Sequence, residues 1–186
     1  MRGLSDEELM ELIKGDDPKL AFEELMDRYA SRLVNFLNRY TGSRETAENL
    51  TQETFLRIYK TRQHYEPDAK FKTYLYRIAT NLAIDEFRKK SRRREELRED
   101  FSDSKSENPG PHEKAVSAQR AEKVRECVMK LDEKHRIVLV MKWFEGLRYE
   151  QIAKILGVSV GTVKSRVHYA LKKLEVDLKP LLNGDK

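Results

Sequence analysis

Between Val160 and Leu174 the chain carries Lys164, Arg166, Lys172 and Lys173 and no acid, with Ser165, His168 and Tyr169 set among the cations. Fixed positive charge of this kind makes and breaks no bonds; it takes a polyanion. Ammonium and guanidinium groups pair with phosphates and donate to guanine acceptors, and a short serine allows close approach. A second run, Arg88-Lys89-Lys90-Ser91-Arg92-Arg93-Arg94, has six cations in seven positions. It follows Phe71, Lys72, Tyr74, Tyr76 and Arg77, so rings suited to stacking on exposed bases stand beside further charge. At least one of those rings belongs to a core, with Tyr74 and Phe71 the candidates. Thr80, Asn81 and Asp85 fall on a polar face, where they can hydrogen-bond a base edge. Catalytic arrangements are missing. His64, His112, His135 and His168 are scattered, no carboxylate cluster or Cys/His metal spacing occurs, and Asp16 and Asp17 sit in a helix-stop turn. The expectation is a binding protein without cofactor or metal, not an enzyme.

These residues need rigid elements beneath them. Tyr149, Ile152, Ala153 and Leu156 recur at i, i+3, i+4 and i+7, one face of a short helix. Gly157-Val158 supplies a tight turn, and Ser159 caps the next helix, whose inner stripe is Val160, Val163, Val167, Ala170, Leu171 and Leu174. The small Ala153 lets the two helices cross closely. This is a helix-turn-helix, which places its second helix in a DNA major groove and turns Lys164, Ser165, Arg166, His168, Tyr169 and Lys172 outward.

Earlier in the chain, Ser5 and Glu8 form a capping box before Leu9, Leu12 and Ile13. A second helix from about Lys19, ended by Thr41-Gly42-Ser43, carries Phe22, Leu25, Met26, Tyr29, Leu33, Phe36, Leu37 and Tyr40. A third, from about Glu45, has Glu45, Glu48, Asn49, Gln52 and Glu53 on an acidic polar face beside Phe55, Leu56, Ile58 and Tyr59. Such a face repels DNA and suits a basic protein helix. A fourth runs from about Thr73 to Arg94. Val116, Val124, Val128 and Leu131 mark a helix in the second half, and Asp132 caps the one after it, which Gly146 ends. The stretch between the halves, Phe101 to Pro111, is polar, Ser-rich and Pro-broken and reads as a solvated linker.

Composition agrees. Hydrophobic residues make up 39% and charged residues 37%, which suits thin-cored helical modules, and Gly and Pro number only 8 and 5. The net charge of +5 favours a polyanionic partner. The single cysteine, Cys127, excludes an internal disulfide and reads as a small core residue in a reducing compartment. No apolar run reaches the length of a signal peptide or a membrane span, so a soluble cytoplasmic protein is expected. The fold expected is all-α: two small helical domains, 1–95 and 115–182, joined by a flexible linker over 96–114.

Three stretches, Ala47 to Leu56, Phe71 to Asp85 and Gly157 to Arg166, resemble bacterial sigma factors of the extracytoplasmic function class, group 4 of the sigma-70 family. They lie in order, with the expected gap between the halves, and the resemblance covers nearly the whole chain. It implies that Glu48, Asn49, Gln52, Glu53, Phe55 and Leu56 bind the clamp helices of core RNA polymerase. It implies that Phe71, Lys72, Tyr76, Arg77, Thr80, Asn81, Asp85, Arg88 and Lys89 melt and read a promoter −10 element, Asn81 helping to hold a flipped base. Lys164, Ser165, Arg166, His168, Tyr169 and Lys172 fall to the −35 element as duplex, with the C-terminal domain touching the polymerase flap. The linker would thread toward the RNA exit path. Two positions depart: Asn49 stands where the family usually has an acid, and Tyr74 where it often has Trp. The resemblance also implies an anti-sigma factor partner, and no stable homo-oligomer is expected. The alternatives are a stand-alone helix-turn-helix regulator and a nucleic-acid enzyme. The βα alternation of a receiver domain is missing from the first half, and the absent catalytic clusters weigh against the enzyme.

Overall fold

The computed structural model describes residues 1, 3–66, 70–98 and 115–182, and within them the side chains of 91, 93–98, 115–121 and 180–182 are not described. Every regular element among the described residues is a helix: α1 Asp6–Ile13, α2 Lys19–Thr41, α3 Arg44–Thr61, a short turn of 3-10 helix Arg62–His64, α4 Phe71–Arg98, α5 Ala115–Met129, α6 Glu133–Trp143, α7 Tyr149–Leu156 and α8 Val160–Leu182.

Local chemistry starts and stops most of them. Ser5 accepts from the Glu8 amide at 3.2 Å while the Glu8 carboxylate takes the Ser5 amide at 2.7 Å, the reciprocal box that opens α1. Gly42 closes α2 at φ 76°, a left-handed backbone that favours glycine. Ser43 caps α3 through the Thr46 amide at 3.2 Å. The start of α4 is set from a distance: the Glu7 carboxylate, on α1, takes the Phe71 amide at 2.9 Å. The helix therefore begins at Phe71, ahead of the expected Thr73. It also continues through 96–98, which the sequence assigned to the linker. Expectations for 99–114 lie outside the described residues, as do those for the side chains of Arg93, Arg94 and Val116.

The first unit is built around α2, which packs against α1, α3 and α4. Its core is aromatic: Phe36 meets Tyr76 edge-on at 5.0 Å, Tyr29 meets Phe71 at 5.4 Å and Tyr40 meets Phe87 at 5.1 Å. Arg28 fastens α1 onto α2, donating to Asp6 and Glu24 at 2.9 Å each and to the Leu4 carbonyl at 2.9 Å. Tyr29 also donates to Asp6. The three acids in the first turn of α1 are thus all engaged, Asp6 with α2, Glu7 with α4 and Glu8 within its own cap.

In the second unit α8 packs against α5, α6 and α7. Cys127, Val128, Leu131, Leu139, Ala170 and Leu174 form one buried cluster. Two expected core positions are at the surface instead. Val124 is 40% exposed because Cys127, Val128 and Leu131 carry the inner edge of α5, and Leu171 is 42% exposed because Val167, Ala170 and Leu174 already complete the stripe of α8.

The two units pack on each other, α2 against α6 and α4 against α7, and one buried apolar cluster runs through both. Arg136 of α6 is buried at this seam. It donates to the carbonyls of Tyr40 at 2.9 Å, Met129 at 2.7 Å and Leu131 at 2.8 Å, binding the carbonyl ends of α2 and α5 together. Burial pulls its guanidinium below the ordinary arginine value. Gly42 sits so close to this seam that a Cβ there would come 2.5 Å from the end of the Met129 side chain.

Candidate nucleic-acid interface

The C-terminal surface is assembled by two helices and one left-handed residue. Gly157 ends α7 at φ 63°, and its amide donates to the Ala153 carbonyl. The turn delivers Ser159, whose hydroxyl accepts the Thr162 amide at 3.0 Å and starts α8. Val163, Val167 and Ala170 are buried beneath. That geometry forces Lys164, Ser165, His168, Tyr169 and Lys172 outward, all exposed, with Arg166 half-buried at the edge. Tyr169 is 61% exposed, and its ring lies 6.0 Å from that of His168 and 6.1 Å from that of His135. His135, on α6, is a member of this surface that sequence reasoning did not select; nothing in its local pattern shows that α6 passes under Tyr169. Lys173 donates to the Lys130 carbonyl at 3.2 Å and so ties α8 to the end of α5.

The N-terminal surface divides differently from the expectation. Phe71, Tyr76 and Thr80 are fully buried. The rings of Phe71 and Tyr76 pack against Tyr29 and Phe36 of α2, so neither ring is free to stack on a base. Thr80 lies on the inner face of α4 with Ala79 and Ala83, and among the described residues no partner meets its hydroxyl. Tyr74 is the half-buried ring of the three. Its hydroxyl meets Thr61 at 3.0 Å, and the Arg77 guanidinium lies 5.8 Å from its centroid. Arg77, Asn81, Asp85, Arg88 and Lys89 are exposed along one side of α4. Asp85 and Arg88 approach to 3.8 Å, an exposed pair of little energetic weight.

The face of α3 is less acidic than its polar residues suggest. Glu48 pairs with Arg44 at 2.8 Å and Glu53 with Arg57 at 2.9 Å, each one turn apart. Glu48, Asn49, Gln52 and Leu56 are exposed and Glu53 is half-buried, whereas Phe55 is in the core against Phe22. The α3 and α4 surfaces are also not separate. A groove of about 480 Å³ is lined by Asn49, Glu53 and Arg57 on one wall and Asp85, Arg88 and Lys89 on the other. Among the described residues no cluster of His, Cys, Asp or Glu has the geometry of a metal site. No helix among them is long and apolar enough to cross a membrane.

At the start of α4, Lys72 and Tyr76 meet the second unit. The Lys72 ammonium donates to the Glu145 carbonyl at 2.9 Å, and the Tyr76 hydroxyl donates to the Glu145 carboxylate. Burial pulls the Lys72 ammonium below its ordinary value, with Glu145 opposing, and burial and then the Glu145 hydrogen bond push the Tyr76 phenol up.

Known proteins divide the chain along the same line. The sigma-70 region 2 family matches residues 25–93, and the sigma-70 region 4 family matches residues 121–174. The chain is 33% identical over 176 residues to the ECF RNA polymerase sigma factor SigW of Bacillus subtilis, covering 90% of this chain and 93% of that one. It is 36% identical over 155 residues to the ECF RNA polymerase sigma factor SigE of Mycolicibacterium smegmatis, covering 83% of this chain but only 60% of that longer relative. Among solved structures the fold is similar to the sigma factor RpoE from Bartonella quintana in complex with the anti-sigma factor NepR, with a TM-score of 0.70 at 24% identity over 85% of this chain and 96% of that one. It is equally similar to CnrH in complex with the cytosolic domain of CnrY, with a TM-score of 0.69 at 23% identity over 97% of this chain and 99% of that one. Two basic helical surfaces in one chain, matched in order by regions 2 and 4 and across nearly the full length by a relative above 30% identity, place this chain in the extracytoplasmic function sigma factors of the sigma-70 family, the RNA polymerase factors that direct transcription initiation.

Proposed function

We propose that this sigma factor, which we assign to group 4, grips a two-element promoter at two points whose separation is fixed by core polymerase. A C-terminal domain, 115–182, takes the −35 element as duplex: α8 enters the major groove with Lys164, Ser165 and Arg166 toward base edges, and His168, Tyr169 and Lys172 toward phosphates. An N-terminal domain, 1–95, takes the melted −10 element along α4, with Asn81 and Asp85 toward a flipped base, Arg77, Arg88 and Lys89 toward the backbone, and Lys72 and the Tyr76 hydroxyl at the near end. Phe71 and Thr80 serve this surface from within the core. Residues 99–114, after the end of α4, are the linker between the readers. The observation that carries the reading is the exposed face of α8: in Val160–Leu174 no acid offsets its cations, and a capped start and a buried stripe fix which way it points.

Glu48, Asn49, Gln52, Glu53 and Leu56 of α3 form the contact with the polymerase clamp helices. Their pairing with Arg44 and Arg57 is no obstacle, because exposed pairs of this kind are worth about 0.3–0.5 kcal/mol and exchange readily for a new partner. The chemistry of RNA synthesis belongs to the polymerase, and this chain acts in the cytoplasm without a cofactor. An anti-sigma factor partner is proposed as well; the similar solved structure of the sigma factor RpoE is a complex with the anti-sigma factor NepR.

Weak, salt-sensitive contacts at each end become strong together once docking sets their distance, since the second contact then forms at high effective concentration. Purified protein added to core polymerase should give run-off transcripts from a genomic promoter of the source organism, and neither component alone should. Core-independent binding to one operator, with no transcript from any promoter, would replace this reading with a stand-alone helix-turn-helix regulator.

A further inference from the structure

We propose that Glu145 latches the free protein shut by occupying the groups at the start of α4 that nucleic acid would otherwise take. The inference rests on the reading that α4 binds the melted strand. Glu145 lies in the short connection after α6, which reverses at Gly146, φ 64°, and is pinned by buried Leu147, whose amide donates to the Met141 carbonyl at 3.1 Å. The connection is therefore a rigid turn that presents one carboxylate to one place. There the Tyr76 hydroxyl donates to the Glu145 carboxylate and the Lys72 ammonium donates to its carbonyl at 2.9 Å. A nucleic-acid backbone would offer Lys72 and Tyr76 the same chemistry, an anionic oxygen beside a second acceptor. Closed protein and bound strand are mutually exclusive occupants of those two donors.

Other contacts of the seam hold the two units together. Arg136 fastens the carbonyl end of α2 at Tyr40, the Arg39 guanidinium stacks 4.5 Å from the centroid of the Phe144 ring, and Gly42 lets Met129 approach where a Cβ would not fit. Glu145 accepts two hydrogen bonds across the seam, from Lys72 and Tyr76, and Arg136 donates another to Tyr40. Arg32 is a further cation that acts on Lys72 and Tyr76 at this corner. A carboxylate held by a positive corner is a ready competitor for a phosphate and a poor contributor to anything else at the surface.

The test uses the full-length protein, a fluorescent single-stranded DNA 20-mer of mixed sequence, and small-angle X-ray scattering of the same samples. Glu145→Ala should expand the free protein and tighten the single strand about tenfold, the scale set by losing a charge-assisted hydrogen bond. Glu145→Gln, which keeps the shape and loses the charge, should lie between. Lys72→Ala placed in the Glu145→Ala protein should abolish the gain. Unchanged dimensions and unchanged DNA affinity in both Glu145 variants would overturn the latch, while core-dependent run-off transcription by the same variants would leave the sigma-factor reading standing. Expansion without any gain in DNA affinity would overturn the competition and would also count against α4 as the strand-binding surface.

Discussion

Lys164 and Arg166 carry different burdens although they are two residues apart. Lys164 is exposed and can reach a base edge, whereas Arg166 is half-buried at the edge of the face. Loss of a good base contact costs about 1–3 kcal/mol, so Lys164→Ala should reduce holoenzyme affinity for a promoter by roughly tenfold or more when the −35 element is intact. The same substitution should have little effect on a promoter whose −35 element is scrambled, and none on core binding, which a native-gel titration with core polymerase reads. Lost core binding would make Lys164 a structural residue. The outward residues of α8 were legible in the sequence because helical periodicity alone decides which way they point. The rings of α4 were not. Phe71 and Tyr76 flank Lys72 and Tyr74 in a pattern that fits stacking on bases equally well, and only the presence of Tyr29 and Phe36 across α2 assigns them to the core. Thr80 was misplaced for the same reason: a hydroxyl on a mixed helix looks polar in sequence, while its complete burial is set by the helices packed on α4.

Elements are where sequence and structure agree most closely, and the exceptions share a cause. The Ser5–Glu8 box, the Gly42 stop and the Ser159 cap act across three or four residues, so they are visible in the chain itself. The start of α4 depends on Glu7, 64 residues away, and no local signal discloses that. Glu7→Ala should leave the Phe71 amide without its acceptor and lower stability by about 1 kcal/mol, measured by urea denaturation, with Glu7→Asp partly restoring it. The turn of the helix-turn-helix gives a cleaner element-scale prediction. No atom lies within 4 Å of a Cβ built on Gly157, so Gly157→Ala meets no clash, and its cost is the left-handed backbone alone. That cost is about 1–2 kcal/mol, and Asn, which tolerates this conformation, should lose less. Thermal unfolding followed by circular dichroism separates the two variants. Equal stability of Ala and Gly proteins would mean that the turn adopts another geometry.

At the scale of the molecule, two small helical units share a seam that neither half of the sequence announces. Arg136 looks like one more surface cation in a charged chain, yet it is buried and holds three carbonyls. Replacing it with Met should loosen the seam and increase the radius of gyration of the free protein. The buried phenols give a pH signature for the folded state as a whole. Burial raises Tyr40 and Tyr76 above the ordinary value of 10.0, and burial pushes Tyr65 up to about 12. In the unfolded chain these phenols ionise near pH 10 while the folded ones keep their protons, so the unfolded state binds fewer protons and stability falls as pH rises past 10. Denaturant midpoints measured across pH 9 to 12 should be flat to about pH 10 and then drop, with phenolate absorbance appearing at the same transition.

The central claim is that one chain grips a promoter at two places, α8 on duplex and α4 on melted strand, with polymerase fixing the distance between them. Footprinting of the reconstituted holoenzyme on a promoter fragment, with nuclease protection and permanganate reactivity read on the same DNA, tests it most directly. Two protected patches should flank an unprotected spacer, with reactive thymines confined to the downstream patch. Lys164→Ala should fade the upstream patch, and Asn81→Ala should fade the permanganate signal while upstream protection persists. A single continuous patch without reactive thymines, or loss of both signals together in either variant, would contradict the account.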